Sequence, residues 1–234
     1  NNSNSLGISL GGTAGFSRIM NNSISASSVS VQGGVNNYFI DSNTITHPNS
    51  GNQLGIRFLN GAGNNTVINN IINMSGGNSN TAGITIGTNT VTNITVANNT
   101  FLNCPNTAIA ISNGGGGTVF DNSVENNTIL TTCGTGISIT GGSILNKVRN
   151  NLINMTGAST GISVSASNNN TLINNTIILN SSLNSIGISL TSSKRLDLNQ
   201  SNINIYYIFI IIPYLNIHQS TVTIRSTVIS FKFI

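Results

Sequence analysis

Short apolar alternations recur along most of the chain, each only a few residues long and each set off by Gly, Ser or Asn. One phrase is opened by glycine: Gly7–Leu10 (GISL), Gly55–Phe58 (GIRF), Gly83–Ile86 (GITI), Gly136–Ile139 (GISI), Gly161–Val164 (GISV) and Gly187–Leu190 (GISL). Looser copies stand at Ser28–Val31 (SVSV) and Ala108–Ile111 (AIAI). A second phrase follows an Asn pair or its near equivalent: Asn21-Asn22, Ser42-Asn43, Asn69-Asn70, Asn98-Asn99, Asn126-Asn127, Asn150-Asn151 and Asn174-Asn175, with an aliphatic or aromatic residue two positions after each. Alternation of period two predicts strands with one buried face. The intervening Gly, Ser and Asn predict tight turns. The two phrases stay in phase at a spacing of roughly 21 to 29 residues, the range of a solenoid coil.

One such unit cannot bury its apolar face by itself. Stacking the next unit at about 4.8 Å pairs the backbones in parallel and lays like residues over like. The Asn pair then marks a corner. Asn21, Asn69, Asn98, Asn126, Asn150 and Asn174 are assigned to it, and one Asn of each pair is expected to turn inward and bond up and down its column. A buried amide left unpaired costs about 1–3 kcal/mol, and recurrence at one phase supplies the partners.

Composition narrows the picture. Charged residues make up 5% of 234 and apolar ones 38%, so the polar surface must come from Asn, Ser, Thr and Gly. The net charge of +4 is eight cations against four acids, scattered along the chain. Without a basic run interleaved with aromatics, nucleic acid is not an expected partner. The longest apolar run, 205–215, is broken by Pro213 and falls short of the roughly 17–25 residues a membrane-spanning helix needs. The chain opens on Asn1 with a repeat almost at once, so it reads as a piece of a longer or processed protein whose export signal lies elsewhere.

These phrases resemble the right-handed parallel β-helix repeats of the pectin-lyase-like superfamily, over about Leu6 to Leu198. The resemblance implies an all-β, single-stranded right-handed β-helix of about seven to eight coils, in a secreted or surface-displayed protein. It implies little about activity, because the superfamily holds polysaccharide lyases, glycosidases, tailspikes, adhesins and proteins of no known activity. Residues 1–204 are assigned to the repeats. Residues 205–234 lose glycine and gain Ile and aromatics, and read either as a cap on the open end of the solenoid or as an out-of-frame tail.

Candidate chemistry is sparse. Glycoside hydrolysis needs two carboxyl groups roughly 5–9.5 Å apart. The four acids are Asp41, Asp121, Glu125 and Asp197. Asp41 and Glu125 share a phase three coils apart, roughly 14 Å. Asp121 and Glu125 are separated by roughly 13 Å of extended chain, which a bend would shorten. The superfamily's lyases use calcium-binding acid clusters and its hydrolases a close group of Asp, and neither stands here. No catalytic residue, metal site or cofactor is therefore assigned, and the chain leans away from an enzyme.

Glu125 and Arg149 take one phase on successive coils and are expected to form a surface ion pair. Cys104 and Cys133 also fall at nearly one phase, as a disulfide or a stack of buried thiols. His47 and His218 have no metal-site context. The outward positions of the Gly-led strand are expected to form a flat small-residue strip: Ser9, Ser30, Arg57, Thr85, Ser138, Ser163 and Ser189. The expected function is a structural or binding module, with a polysaccharide or cell-surface glycan as partner. The alternatives are a fragment of a polysaccharide lyase or glycoside hydrolase whose active site lies outside this chain, and an ice-binding protein.

Overall fold

The computed structural model describes residues 8–10, 16–25, 29–34, 36–47, 54–75, 82–104, 106–114, 116–132, 134–157, 159–180 and 185–193. Beyond these it describes the backbone of six strands between 196 and 231, and the strand at 29–33 is likewise described by its backbone.

The strands stack into three long parallel sheets, visited in turn, with a fourth, two-stranded parallel sheet of Val91–Thr92 and Val119–Phe120 before the second. The first sheet runs through Ile8–Ser9, Val29–Gly33, Leu54–Phe58, Ala82–Gly87, Thr107–Ser112, Thr135–Thr140, Thr160–Ser165 and Ile186–Thr191, then Tyr207–Ile210 and Ile229–Phe231. The second runs through Ser17–Met20, Tyr38–Asp41, Thr66–Ile68, Thr95–Ala97, Ser123–Glu125, Lys147–Arg149, Asn170–Ile173 and Leu196–Asn199, then Leu215–His218. The third runs through Ser23–Ser25, Thr44–Thr46, Ile71–Asn73, Thr100–Leu102, Thr128–Thr131, Leu152–Thr156, Thr176–Asn180 and Asn202–Ile205, then Thr221–Ile224. Every pairing is parallel to the equivalent strand one coil away, which is the β-helix that the phrases predict. Eight strands of each sheet precede Tyr207, and the remaining strands carry the stacks to ten, nine and nine. Among the described residues no helix is long and apolar enough to cross a membrane.

The core is a set of columns along the coil axis. Ile56, Ile84, Ile109, Ile137, Ile162 and Ile188 stack in the first sheet, and Ile40, Val67, Val96, Val124, Val148 and Leu172 in the second. Ile45, Ile72, Phe101, Ile129, Ile153 and Ile177 stack in the third. All of these are buried. β-Branched side chains suit this arrangement because their restricted χ1 packs directly over the same residue on the next rung.

A single left-handed residue makes each of two corners. Between the second and third sheets it is Asn21, Ser42, Asn69, Asn98, Asn126, Asn150 or Asn174, with φ between 49° and 57°. Entering the second sheet it is Asn37, Asn64, Asn93, Asp121, Leu145 or Asn169, with φ between 52° and 63°. Asn tolerates this conformation because its short polar side chain bonds locally. The first Asn of each pair is therefore the exposed bend. The second Asn turns inward: Asn43, Asn70, Asn99, Asn127, Asn151 and Asn175 are all buried. Each backbone N–H of Asn22 through Asn151 donates to the Oδ1 of the next Asn in the column at 2.9–3.1 Å, and each Nδ2 donates to the same oxygen. Successive members are 21, 27, 29, 28, 24 and 24 residues apart, so the ladder holds while the loops vary. A shorter ladder of Asn122, Asn146 and Asn170 lines the other corner.

The glycine of the Gly-Ile phrase has a different role from the turn former its residue type suggests. Gly55, Gly83, Gly136 and Gly161 lie inside first-sheet strands and are buried. A Cβ on Gly83 would sit 2.7 Å from the Ala108 carbonyl oxygen and 2.8 Å from the Phe101 ring. On Gly161 it would sit 2.6 Å from both the Gly187 carbonyl oxygen and Ile177 Cγ2. The first sheet closes against the third-sheet column at this point, and only hydrogen fits.

Candidate functional site

The three outer faces differ in chemistry. On the first sheet, Arg57, Thr85, Ala110, Ser138, Ser163 and Ser189 stand in one register column, half-buried against their neighbours. Ser9 pairs with Gln32, which in turn pairs with Arg57, so Gln32 takes the strip position on its strand. Ser30 lies one step before Val31, the partner of Ile56, which puts it at the register of Gly55, outside the strip. The glycine-free stretch at 28–31 lacks the residue that fixes the phase, and the register counterpart of Gly55–Phe58 is residues 30–33, two positions later. The strip is small and polar, with Ala110 and Arg57 interrupting its hydroxyls.

The second sheet carries the charge. One outward column reads Arg18, Phe39, Thr66, Thr95, Ser123, Lys147 and Thr171, and the next reads Met20, Asp41, Ile68, Ala97, Glu125, Arg149 and Ile173. Glu125 and Arg149 are register partners on adjacent rungs, and the Arg149 Nε donates to Glu125 Oε2. The Arg149 side chain is 47% exposed and Glu125 18%, so water screens a good part of the attraction. Asp41 shares the Glu125 column three rungs away, with Ile68 and Ala97 between them, and accepts from Ser42 Oγ at 2.8 Å and Asn69 Nδ2 at 2.9 Å.

A groove of about 650 Å³ lies over this face at the middle rungs. Asn64, Thr92, Asn93 and Thr95 form one end, Phe120, Asp121, Asn122, Ser123 and Glu125 the middle, and Leu145, Lys147 and Arg149 the other end. The corner entering the second sheet puts Asp121 in the groove: its left-handed φ of 54° turns the chain immediately before Ser123 and Glu125. Both carboxylates that the linear chain holds four residues apart thus line one depression, together with two cations. The half-buried Phe120 ring supplies the apolar surface. Planar amide, carboxylate and guanidinium groups around a small apolar platform suit a ligand with many hydroxyls and one apolar face.

A smaller notch of about 460 Å³ opens on the same sheet near its first rungs, lined by Phe16, Ser17, Arg18, Asn37 and Phe39. Phe16 is 91% exposed, and the Arg18 guanidinium carbon stands 5.9 Å from the Phe39 ring centroid, a cation–π distance.

Cys104 is buried, with Sγ 4.0 Å from the Leu102 carbonyl oxygen, and Cys133 lies outside the described residues, as does any pairing between them. His47 is buried at the end of a third-sheet strand, and its backbone N–H donates to the Asn73 carbonyl at 2.9 Å. The His218 side chain lies outside the described residues. Among the described residues no group of three His, Cys, Asp or Glu is placed to hold a metal ion.

The repeat phase pairs Glu125 with Arg149 but does not gather Phe120, Asp121 and Lys147 into one place. The signal for doing so was present in the second-sheet alternation, where Ser123 and Glu125 precede Lys147 and Arg149 at equal phase. A family described as Right handed beta helix region matches residues 1–153 and 77–203. Comparisons with curated proteins and with solved structures give no match.

Proposed function

The chain belongs to the right-handed β-helix family, and from that premise we propose that it is an exported or surface-displayed module that binds a glycan along the outer face of its second sheet. The family membership supplies the scaffold and leaves the ligand to be argued from the surface. The observation that supports a glycan is the groove that gathers Phe120, Asp121, Glu125, Lys147 and Arg149 over a flat parallel face. A sugar ring offers a C–H face to an aromatic ring and a rim of hydroxyls to carboxylate and guanidinium groups, which bond in pairs through planar geometry. The Phe16–Phe39 notch lies along the same face, so a linear chain running parallel to the coil axis meets both. The aromatic side chains along the second sheet support binding there, whereas the strip of Arg57, Thr85, Ser138, Ser163 and Ser189 on the first sheet offers hydroxyls without an aromatic ring.

Titration calorimetry against a panel of neutral and acidic oligosaccharides tests the reading. Binding should weaken at least tenfold in Phe120→Ala and in Lys147→Ala, with the thermal melt unchanged. No binding across the panel, or binding indifferent to both substitutions, refutes it. A second reading rests on Asp121 and Glu125 lining one groove: the module then cuts the chain it binds. Release of reducing ends by the unaltered protein, abolished by Asp121→Asn, would select it.

A further inference from the structure

One residue of the groove is held against its own backbone preference. At the corner entering the second sheet the left-handed position is filled by Asn37, Asn64, Asn93, Asp121 and Asn169, and between the last two by Leu145 with φ of 58°. Asn and Asp take this conformation readily, whereas a bulky aliphatic side chain there is strained. Leu145 is also 45% exposed, so burial in the core does not offset the strain, and its side chain lines the groove instead. Strained residues of this kind concentrate where a ligand needs them. The neighbours of Leu145 form a square. Asp121 holds the same corner position one rung earlier, about 4.8 Å away, and the register partners Ser123 and Lys147 follow two residues further along. All four line the groove. Glu125 is paired with Arg149, whereas Asp121 and Lys147 make no ion pair among the described residues. The Ser123 Oγ is buried without a hydrogen-bond partner, a condition rare for a native hydroxyl.

We propose that the groove selects glycans bearing an acetamido group, and that Leu145 is the residue that reads its methyl. The inference rests on the glycan reading above and adds the substituent. A planar trans acetamide carries its N–H and its methyl on one edge and its carbonyl oxygen on the other. The square is divided in the same way. Its corner edge offers a carboxylate acceptor, Asp121, beside an apolar side chain, Leu145. Its other edge offers two donors, the Ser123 hydroxyl and the Lys147 ammonium. The edges lie two residues apart, roughly 7 Å, about the span of an amide with one hydrogen bond on each side. Phe120, immediately before Asp121, takes the sugar ring that carries the group. A hydroxyl in place of the acetamide leaves Leu145 facing water and satisfies one edge at most. The Asn found at most other rungs of the corner column would accept the N–H but give the methyl no apolar contact, which accounts for a leucine in a conformation that suits Asn.

Calorimetry of the full chain with matched pairs of oligosaccharides is the test. Each pair shares length and linkage and differs in an acetamido group against a hydroxyl: chitotetraose against cellotetraose, and N-acetyllactosamine against lactose. The unaltered protein should bind the acetamido member at least about tenfold more tightly, the discrimination that one methyl group in an apolar contact supports. Leu145→Asn should remove most of that preference while raising Tm by roughly 2–8 °C, so the loss is not one of folding. Leu145→Met, which keeps an apolar side chain at the corner, should retain the preference. Equal affinity within every pair that binds overturns the acetamido proposal and leaves the glycan reading standing. A preference that survives Leu145→Asn does the same. Absence of binding by any oligosaccharide, paired or not, removes both.

Discussion

Substitution of Asn99 separates the two members of an Asn pair that look interchangeable in the sequence. The Asn99 Oδ1 accepts from the backbone N–H and from Nδ2 of Asn70, both at 2.9 Å. Its Nδ2 donates to the Val67 and Ala97 carbonyls at 2.9 and 3.0 Å and to Asn127 Oδ1 at 3.0 Å. Asn99→Ala leaves the buried Asn70 N–H without its acceptor, at about 1–3 kcal/mol, and forfeits the bonds made by its two amide hydrogens, at about 1 kcal/mol for each hydrogen. The total is about 3–5 kcal/mol, or roughly 6–20 °C in Tm for a domain of this size. The neighbour Asn98 is exposed with φ of 56°, so Asn98→Gly removes no buried partner and fits the same backbone. Its expected effect is within about 1 kcal/mol. Asn22 stands at one end of the ladder and is exposed, so Asn22→Ala should cost about 1 kcal/mol, much less than its central counterpart.

Asn99→Asp adds a pH signature to the same reasoning. The new carboxylate keeps the acceptors for Asn70 but faces the Val67, Ala97 and Asn127 oxygens with no hydrogen to give. Burial and those oxygens raise its folded pKa above the unfolded value of about 3.9. Whatever stability the protonated form retains is present below that pH and lost as pH rises toward the folded pKa. Thermal melts followed by circular dichroism at a series of pH values read all of these variants. If Asn98→Gly destabilises as much as Asn99→Ala, or if Asn99→Asp gains stability as pH rises, the ladder does not carry the load assigned to it.

Three further outcomes follow from single positions and a fourth from a pair. Leu145 holds a left-handed φ of 58° where its column otherwise has Asn or Asp, so Leu145→Asn should stabilise by about 1–2 kcal/mol, read as a higher Tm. Gly83→Ala drives a methyl against the Ala108 carbonyl and the Phe101 ring and should destabilise by about 1–3 kcal/mol or more, again read in the melt. Phe101→Ala empties the largest member of the third-sheet column and should cost about 3–5 kcal/mol by urea unfolding. A double-mutant cycle with Glu125→Gln and Arg149→Gln should return at most about 1 kcal/mol of coupling. That coupling should fall further at about 1 M salt, where the Debye length is ~3 Å.

The fold was legible because the solenoid writes each structural need at a fixed phase. Ile84, Val96 and Phe101 face inward as their alternation predicts, and the Asn pair marks the corner it was assigned to. Two needs were less legible. Which Asn of a pair turns inward depends on which residue takes the left-handed φ, and side-chain type is the same at both positions. Why glycine leads the Ile phrase depends on a contact between sheets, since Gly83 lies under Phe101 of the same coil, eighteen positions later in the chain. Neither fact is local, so neither is written in a window of a few residues.

The groove was harder still to see, and the reason points to how sites on such a scaffold are found. Regular columns build a wall, and a site requires departures from them. From the third to the seventh rung the inner column reads Asn65, Ile94, Asn122, Asn146 and Asn170, with Ile94 the one residue that is not Asn. In the left-handed column that reads Asn37, Asn64, Asn93 and Asn169, the two remaining rungs carry Asp121 and Leu145. In the outward column that opens on Arg18 and Phe39, the third to seventh rungs are Thr or Ser except the sixth, which carries Lys147. Asp121, Leu145 and Lys147 all line the groove, and Ile94 is the interior residue between its liners Asn93 and Thr95. The shorter Asn122 ladder starts one rung after Ile94, whose N–H donates to Asn122 Oδ1 at 2.9 Å, so the interior bonding pattern changes directly beneath the surface charges. Departures from the repeat at three columns thus fall within the same three rungs, the fourth to the sixth. These are the rungs over which the groove lies.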